Sequence, residues 1–221
     1  MSDGIRLYQR LGAEFIGTFA LVFAGAGAIV IDSTQHGAVT HVGVAATFGL
    51  VIMVMIYAVG HISGGHFNPG VTLAFAGARH FPLRHVAPYW AAQFLAAIAA
   101  ALVLRMMFGD VASLGASQPA GSEMQSFWLE LILTFGLMFV ILSVATDTRA
   151  AGQAAAIAIG GTVGLEAMFA GPISGASMNT ARSVGPAIAS ADFHALWIYI
   201  IAPPIGAMLG ALSYQAIRGD R

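Results

Sequence analysis

Apolar residues fall along this chain in six blocks, at about 11–31, 40–60, 86–108, 124–145, 152–170 and 194–217. A helix that crosses a bilayer needs about 20 consecutive apolar residues, and each block meets that length. Two further apolar segments, at about 61–78 and 171–189, are too short to cross and are rich in Gly, Pro, Ser and Asn. Such backbone persists at membrane depth only where protein buries it or water bathes it. The pattern therefore predicts an all-α membrane protein: six transmembrane helices plus two re-entrant segments.

The pattern also repeats. Glu14 and Thr18 in the first block are matched by Glu130 and Thr134 in the fourth, within the similar runs 13–19 and 129–135. Ile62, Ser63 and Gly64 ahead of Asn68 are matched by Ile173, Ser174 and Gly175 ahead of Asn179. Each half thus holds three spans and one re-entrant segment in the same order, which predicts inverted repeats at about 8–108 and 124–217 within a single transmembrane domain over 1–221. Three spans is an odd number, so the second copy must insert upside down relative to the first. Repeats of this kind place a shared pathway near the midplane, where broken helices meet.

Composition sharpens the class. The chain is 58% hydrophobic and only 9% charged, too few charges to cover a soluble domain. The near-neutral balance says nothing about an acidic or basic partner, and no nucleic acid is expected among the partners. All nine basic residues are arginines, and seven of them (Arg6, Arg10, Arg79, Arg84, Arg149, Arg218 and Arg221) fall in the termini or in the 2–3 and 4–5 connections. Positive residues mark cytoplasmic loops, so both termini are expected in the cytoplasm. Arg105 closes the outer end of the third span, and Arg182 lies inside a re-entrant segment. There are no cysteines, which excludes disulfides, thiol catalysis and thiolate metal sites. The first apolar run carries Glu14 and continues to Ile31, longer than the core of a cleaved leader, so none is expected.

The segments from His61 to Thr72 and from Gly171 to Ser183 resemble the two signatures of the aquaporins and aquaglyceroporins, and the resemblance runs from about Arg10 to Ile217 in that family's order. It departs twice: the family's Asn-Pro-Ala is Asn68, Pro69, Gly70 in the first copy and Asn179, Thr180, Ala181 in the second. The resemblance implies that each asparagine caps a half-helix whose N-terminus points at the membrane centre, forming the central constriction of a pore. Asparagine is a strong N-cap and proline is favoured just after it, so Thr180 is expected to keep a helical but looser start. The alternative, that these asparagines are ordinary caps, is weakened by their duplicated context.

The resemblance also implies an outer constriction of four residues, Phe48, Ala167, Ala176 and Arg182, of which Phe48 and the alanines could instead be packing residues. An arginine in a membrane segment is costly unless it faces water or a partner, so Arg182 reads as functional. Water-selective relatives usually carry histidine where this chain has Ala167. Two methyl side chains opposite Phe48 and Arg182 imply a wider ring, most like nodulin-26-like intrinsic proteins and bacterial relatives linked to arsenic handling. The function so implied is a passive channel of the inner (plasma) membrane for arsenious and boric acids, glycerol-like solutes and water, excluding ions and protons and assembled as a homotetramer in membrane lipid. No cofactor, metal or catalytic residue is implied. Glu14 and Glu130 are expected to hold the loops before the half-helices, whereas Glu166 could orient a filter loop or cap polar backbone. His61 and His66, five apart and without further ligands, are expected to make local hydrogen bonds rather than hold metal. Two readings remain beside it, a water-selective aquaporin and a secondary transporter built on broken helices. A membrane-embedded enzyme would need a Ser/His/Asp set, paired catalytic carboxylates or a His-Glu metal motif, and none sits in a plausible constellation.

Overall fold

A computed structural model describes residues 4–147 and 154–218. Six long helices are apolar and long enough to cross a membrane: α1 (Leu7–Thr34), α2 (Thr40–Ser63), α4 (Val86–Phe108), α5 (Glu123–Thr146), α6 (Ala155–Ser174) and α8 (Leu196–Ile217). Two short helices, α3 (Pro69–Gly77) and α7 (Thr180–Ser190), follow α2 and α6 respectively. No strand occurs among the described residues. The protein is therefore an all-α, multi-pass membrane protein with two re-entrant half-helices.

The two halves pack alike. In the first, α1 lies against α2 and α4; in the second, α5 lies against α6 and α8. The halves join where α2 meets α6, and each half-helix packs on the last span of the other half, α3 on α8 and α7 on α4. Small residues make these contacts close. A side chain added at Gly206 or Gly210 of α8 would come within 2.2 and 2.3 Å of the Leu131 and Phe135 carbonyl oxygens on α5. The same holds where Gly49 of α2 and Gly160 of α6 face each other's backbone at 2.6 and 2.5 Å. In lipid, which offers no hydrophobic drive between helices, such close backbone approach is what binds them.

Several helix ends differ from the hydropathy pattern. Helix α1 begins at Leu7 and ends at Thr34, a turn beyond the apolar block, and α2 runs on to Ser63. Helix α6 continues through Pro172 to Ser174 instead of ending near 170. Proline removes the amide that would bond the carbonyl four residues back, here that of Met168. His41, at the start of α2, reaches across with Nε2 2.7 Å from that same oxygen, and Gly171 leaves room for its ring. The last turn of α6 thus survives its proline because a distant side chain supplies the missing donor. Arg105 sits in the last turn of α4, donating to the Ala189 carbonyl at the end of α7, with Asp110 3.8 Å away. Arg149, Arg221 and the predicted start of the fifth span at 152 lie outside the described residues.

Candidate functional site

Both connections into the half-helices are built the same way. Helices α2 and α6 each end at a glycine in the left-handed region, Gly64 (φ 98°) and Gly175 (φ 79°), which turns the chain back into the bundle. Each loop then descends to an asparagine that caps the half-helix. Asn68 Oδ1 accepts from the Gly70 amide at 2.9 Å, and Asn179 Oδ1 accepts from the amides of Ala181 and Arg182 at 3.0 and 3.3 Å. The side-chain donors are exchanged across the repeat: Asn68 Nδ2 donates to the Met178 carbonyl at 2.7 Å, and Asn179 Nδ2 donates to the Phe67 carbonyl at 2.8 Å. Two helix N-termini are thereby held face to face.

Two fully buried glutamates anchor the loops from behind. Glu14 accepts from the Ser63 hydroxyl, the His66 and Phe67 amides and the Gln93 side chain, at 2.7 to 2.9 Å. Glu130 accepts from the Ser174 hydroxyl and the Ser177 and Met178 amides, at 2.7 to 2.8 Å. In a trans peptide the N–H and C=O point in opposite directions. Amides drawn back to the carboxylates therefore turn the carbonyls of Gly65, His66, Ala176 and Ser177 forward, towards a cavity that these residues line. The tyrosines complete the support: Tyr89 and Tyr199 donate their hydroxyls to the carbonyls of Ser63 and Ser174.

That cavity, about 570 Å³, extends from Phe48 and Arg182 past Asn68 and Asn179 to Tyr57, Ala145 and Ala155 at the other end of the bundle. Most of the rest of its wall is apolar, with Ile52, Ile56, Val71, Leu137, Ile141 and Val163 lining it, and His61 and Tyr57 are its polar exceptions. One strip of hydrogen-bonding backbone against a greasy wall suits a neutral solute that sheds its water a molecule at a time. A second cavity of about 480 Å³, beside Arg10, His61 and His80, adjoins it at Gly64 and His66.

Arg182 is 2% exposed and held by Nη1, which donates to the Gly115 carbonyl at 2.7 Å, while its guanidinium lies 4.9 Å from the centre of the Phe48 ring. Ala176 lines the same cavity. Ala167 does not; it is buried in the surrounding apolar core, one helical turn beyond Val163, which does face the cavity. Of the motif residues, Gly70 sits close to α8, where an added Cβ would meet Pro203 at 3.4 Å, and Ala181 is fully buried. The Pro69 carbonyl accepts from the Trp90 indole at 3.0 Å. The Thr180 hydroxyl is buried and without a partner among the described residues. Glu166 is buried between α5 and α6, with Oε1 against the bare face of Gly136 and Oε2 unpartnered among the described residues. No hydrogen bond ties it to a filter loop or to polar backbone among the described residues. His66 is buried, with Nδ1 3.1 Å from the Thr72 hydroxyl and its ring stacked on Phe75, while His61 is exposed beside the cavity. Among the described residues no three His, Asp or Glu side chains converge as metal ligands would.

Several supports escape a reading of the motifs alone. Tyr89 and Tyr199 occupy matching places in the last span of each half and are findable by extending the repeat. Gly115 and Ser117, which hold Arg182 and Ser183, lie in an undistinguished connection and carry no signal. His41 is equally silent, because its acceptor is 127 residues away.

Comparison with known proteins gives a consistent answer. The family model described as major intrinsic protein matches residues 2–214. The chain is 54% identical over 219 residues to aquaporin NIP1-1 of Oryza sativa subsp. japonica, covering 99% of this chain and 77% of that one. It is 48% identical over 211 residues to nodulin-26 of Glycine max, covering 95% and 78%. Its fold matches the aquaglyceroporin from Plasmodium falciparum with a TM-score of 0.84, over 96% of this chain and 97% of that one, at 24% identity.

Proposed function

The chain belongs to the major intrinsic protein family of small-solute channels, and on that premise we propose that it passes small uncharged hydroxylated molecules, metalloid acids such as arsenious and boric acid among them, together with glycerol-like solutes and water. It is a passive channel and not an enzyme. The observation that carries the proposal is the pairing of two half-helix N-termini across a cavity walled by apolar side chains on one side and backbone carbonyls on the other. Each N-terminus carries roughly half a positive charge and unpaired amide donors. A cation entering between them would lose hydration and meet repulsion from both. A neutral hydroxylated solute exchanges its water for carbonyl acceptors along the strip and for the second amide hydrogen of Asn68 and Asn179 at the middle. Water held there turns its oxygen to both amides, which breaks the chain of donors along which a proton would hop.

In this reading Phe48, Ala176 and Arg182 line the outer constriction with Ala167 behind them in the apolar core, Asn68 to Gly70 and Asn179 to Ala181 form the central one, and Glu14 and Glu130 the scaffold of both. Arg182 supplies donors to solute oxygens and repels cations. The small side chain of Ala176 in the cavity wall supports the wide-filter reading. A water-selective channel is the second reading, favoured by the close stacking of the Arg182 guanidinium on Phe48 and by the absence of Ala167 from the cavity wall. The arginine distribution supports termini in the cytoplasm, and membership of the family supports an inner-membrane homotetramer with one pore per protomer.

Stopped-flow measurement on proteoliposomes tests the proposal, comparing water, glycerol and arsenious acid while a pH-sensitive dye follows the lumen. All three solutes should enter faster than into empty vesicles, and an imposed pH gradient should decay no faster. Entry of water alone would leave the water-selective reading; collapse of the gradient would refute the barrier described above.

A further inference from the structure

We propose that Gly25 sets the width of the outer constriction by giving the Phe48 ring a socket in α1. The inference rests on the reading of Phe48 as a constriction residue and extends it to a helix that contributes none of the four. Gly25 is buried in α1 at the contact with α2. A Cβ placed on it would lie 2.1 Å from Phe48 Cε1, 2.4 Å from Cδ1 and 2.5 Å from Cζ. Ordinary contact between carbon atoms begins at about 3.5 Å, so the ring occupies the space any side chain at 25 would need. Its edge would have to retreat by more than 1 Å.

The direction of that retreat is fixed by what surrounds the ring. Helix α1 lies on one side; on the other are the cavity and the Arg182 guanidinium, 4.9 Å from the ring centre. Arg182 has little freedom to yield, since its guanidinium is tied to the Gly115 carbonyl and its amide to the Asn179 cap. Gly115 itself rests on the residue next to Gly25: a Cβ at Gly115 would come within 3.0 Å of Ala26. Adjacent residues of α1 thus bed both sides of the constriction, Gly25 under Phe48 and Ala26 under the carbonyl that holds Arg182. Backward movement of α1 is opposed by its packing on α4, where Gly27 already faces Leu104. A methyl group at 25 therefore pushes the ring into the opening.

The test is a double-mutant cycle of Gly25→Ala and Phe48→Ala, read as the ratio of glycerol to water permeability per inserted channel. Phe48→Ala alone tests the underlying assignment: the ratio should rise, and an unchanged ratio shows that Phe48 is not at the constriction. Gly25→Ala alone should lower glycerol permeability at least about fivefold while water falls less than about twofold, as steric narrowing does. In the Phe48→Ala background the same change should leave the ratio unaltered, because the socket is empty. If wild-type protein conducts water only, water flux becomes the readout, with a fall expected in the wild-type background and not in the Phe48→Ala background. Should Gly25→Ala fail to insert, the double variant should recover insertion. A ratio unmoved by Gly25→Ala in the wild-type background, an equal effect in both backgrounds, or failed insertion of both variants overturns the proposal.

Discussion

Thr180 is the first residue of α7, at a position that ordinarily favours proline, and the Thr180→Pro substitution should raise stability even though proline breaks helix interiors. The amide of a first helical residue has no intrahelical acceptor, and Asn179 Oδ1 serves Ala181 and Arg182 instead, so losing that N–H forfeits no bond. The residue before a proline must be extended. Asn179 already is, at φ −149° and ψ 110°, close to Asn68 at φ −153° and ψ 125° ahead of Pro69. Restricting the unfolded chain contributes about 0.4–1 kcal/mol. Removing a buried, unpartnered hydroxyl relieves a further penalty of about 1–3 kcal/mol. Together these give a gain of about 1–3 kcal/mol once some packing of the threonine methyl is lost, or a rise of several degrees in unfolding temperature for a chain of this length. Membrane proteins often unfold irreversibly, so wild type and variants are compared in one detergent at one scan rate. Thr180→Val, which deletes the hydroxyl and keeps the shape, isolates the second contribution and should be stabilising by itself. Lower unfolding temperatures for both variants would show that the hydroxyl is satisfied and that the argument from the cap is wrong.

Three other outcomes follow from the structure. Ala167→His should lower glycerol or arsenious acid flux at least about tenfold while water changes only a few-fold, a barrier of roughly 1.4 kcal/mol or more; unaltered solute flux in a normally inserted variant would place Ala167 away from the constriction. Mercurials should leave permeability unchanged at doses that spare the lipid, since the chain has no thiol, and inhibition reversed by thiol reagents would contradict this. His41→Ala should destabilise the protein by about 0.5–1.5 kcal/mol, the net worth of one hydrogen bond, and should do so less in a Pro172→Ala background, where the Met168 carbonyl recovers a backbone donor; equal losses in both backgrounds, measured by thermal unfolding, would refute the compensation.

The spans were legible because a lipid-exposed helix must be apolar over a fixed length of about 20 residues, a signal that recurs six times along the chain. Asn68 and Asn179 were legible because the same short motif occurs twice in matching contexts, and both prove to be helix caps facing one cavity. Helix ends were less so. Hydropathy falls at Pro172, yet α6 continues, since what decides the matter is a hydrogen bond from a residue on another helix. The placement of Arg182 shows a similar limit: its charge is visible in the sequence, but the carbonyl of Gly115 that fixes it has no chemical signature. Gly25 is invisible for a different reason. Glycines are common in membrane helices, and only the position of the Phe48 ring shows which one matters. Glu166 stood out as a charge, yet among the described residues its Oε1 meets the bare face of Gly136 and its Oε2 finds no hydrogen-bond partner.

The exchange of asparagine donors across the repeat bears on biosynthesis. Asn68 needs a carbonyl 110 residues further along, and the Phe67 carbonyl waits for a side chain 112 residues further along. A nascent chain whose first half has entered the bilayer therefore carries an unmatched donor and an unmatched acceptor at its deepest point. In hydrocarbon each would be costly, so the half-made protein has reason to keep that loop wet or withdrawn until its counterpart arrives. Because the bonds are reciprocal, the two halves need not be joined: the same pair would form between separate fragments inserted in opposite orientations. Co-translation of residues 1–120 and 121–221, divided in the exposed stretch before α5 so that the Gly115 carbonyl is kept, is thus a route to the same centre.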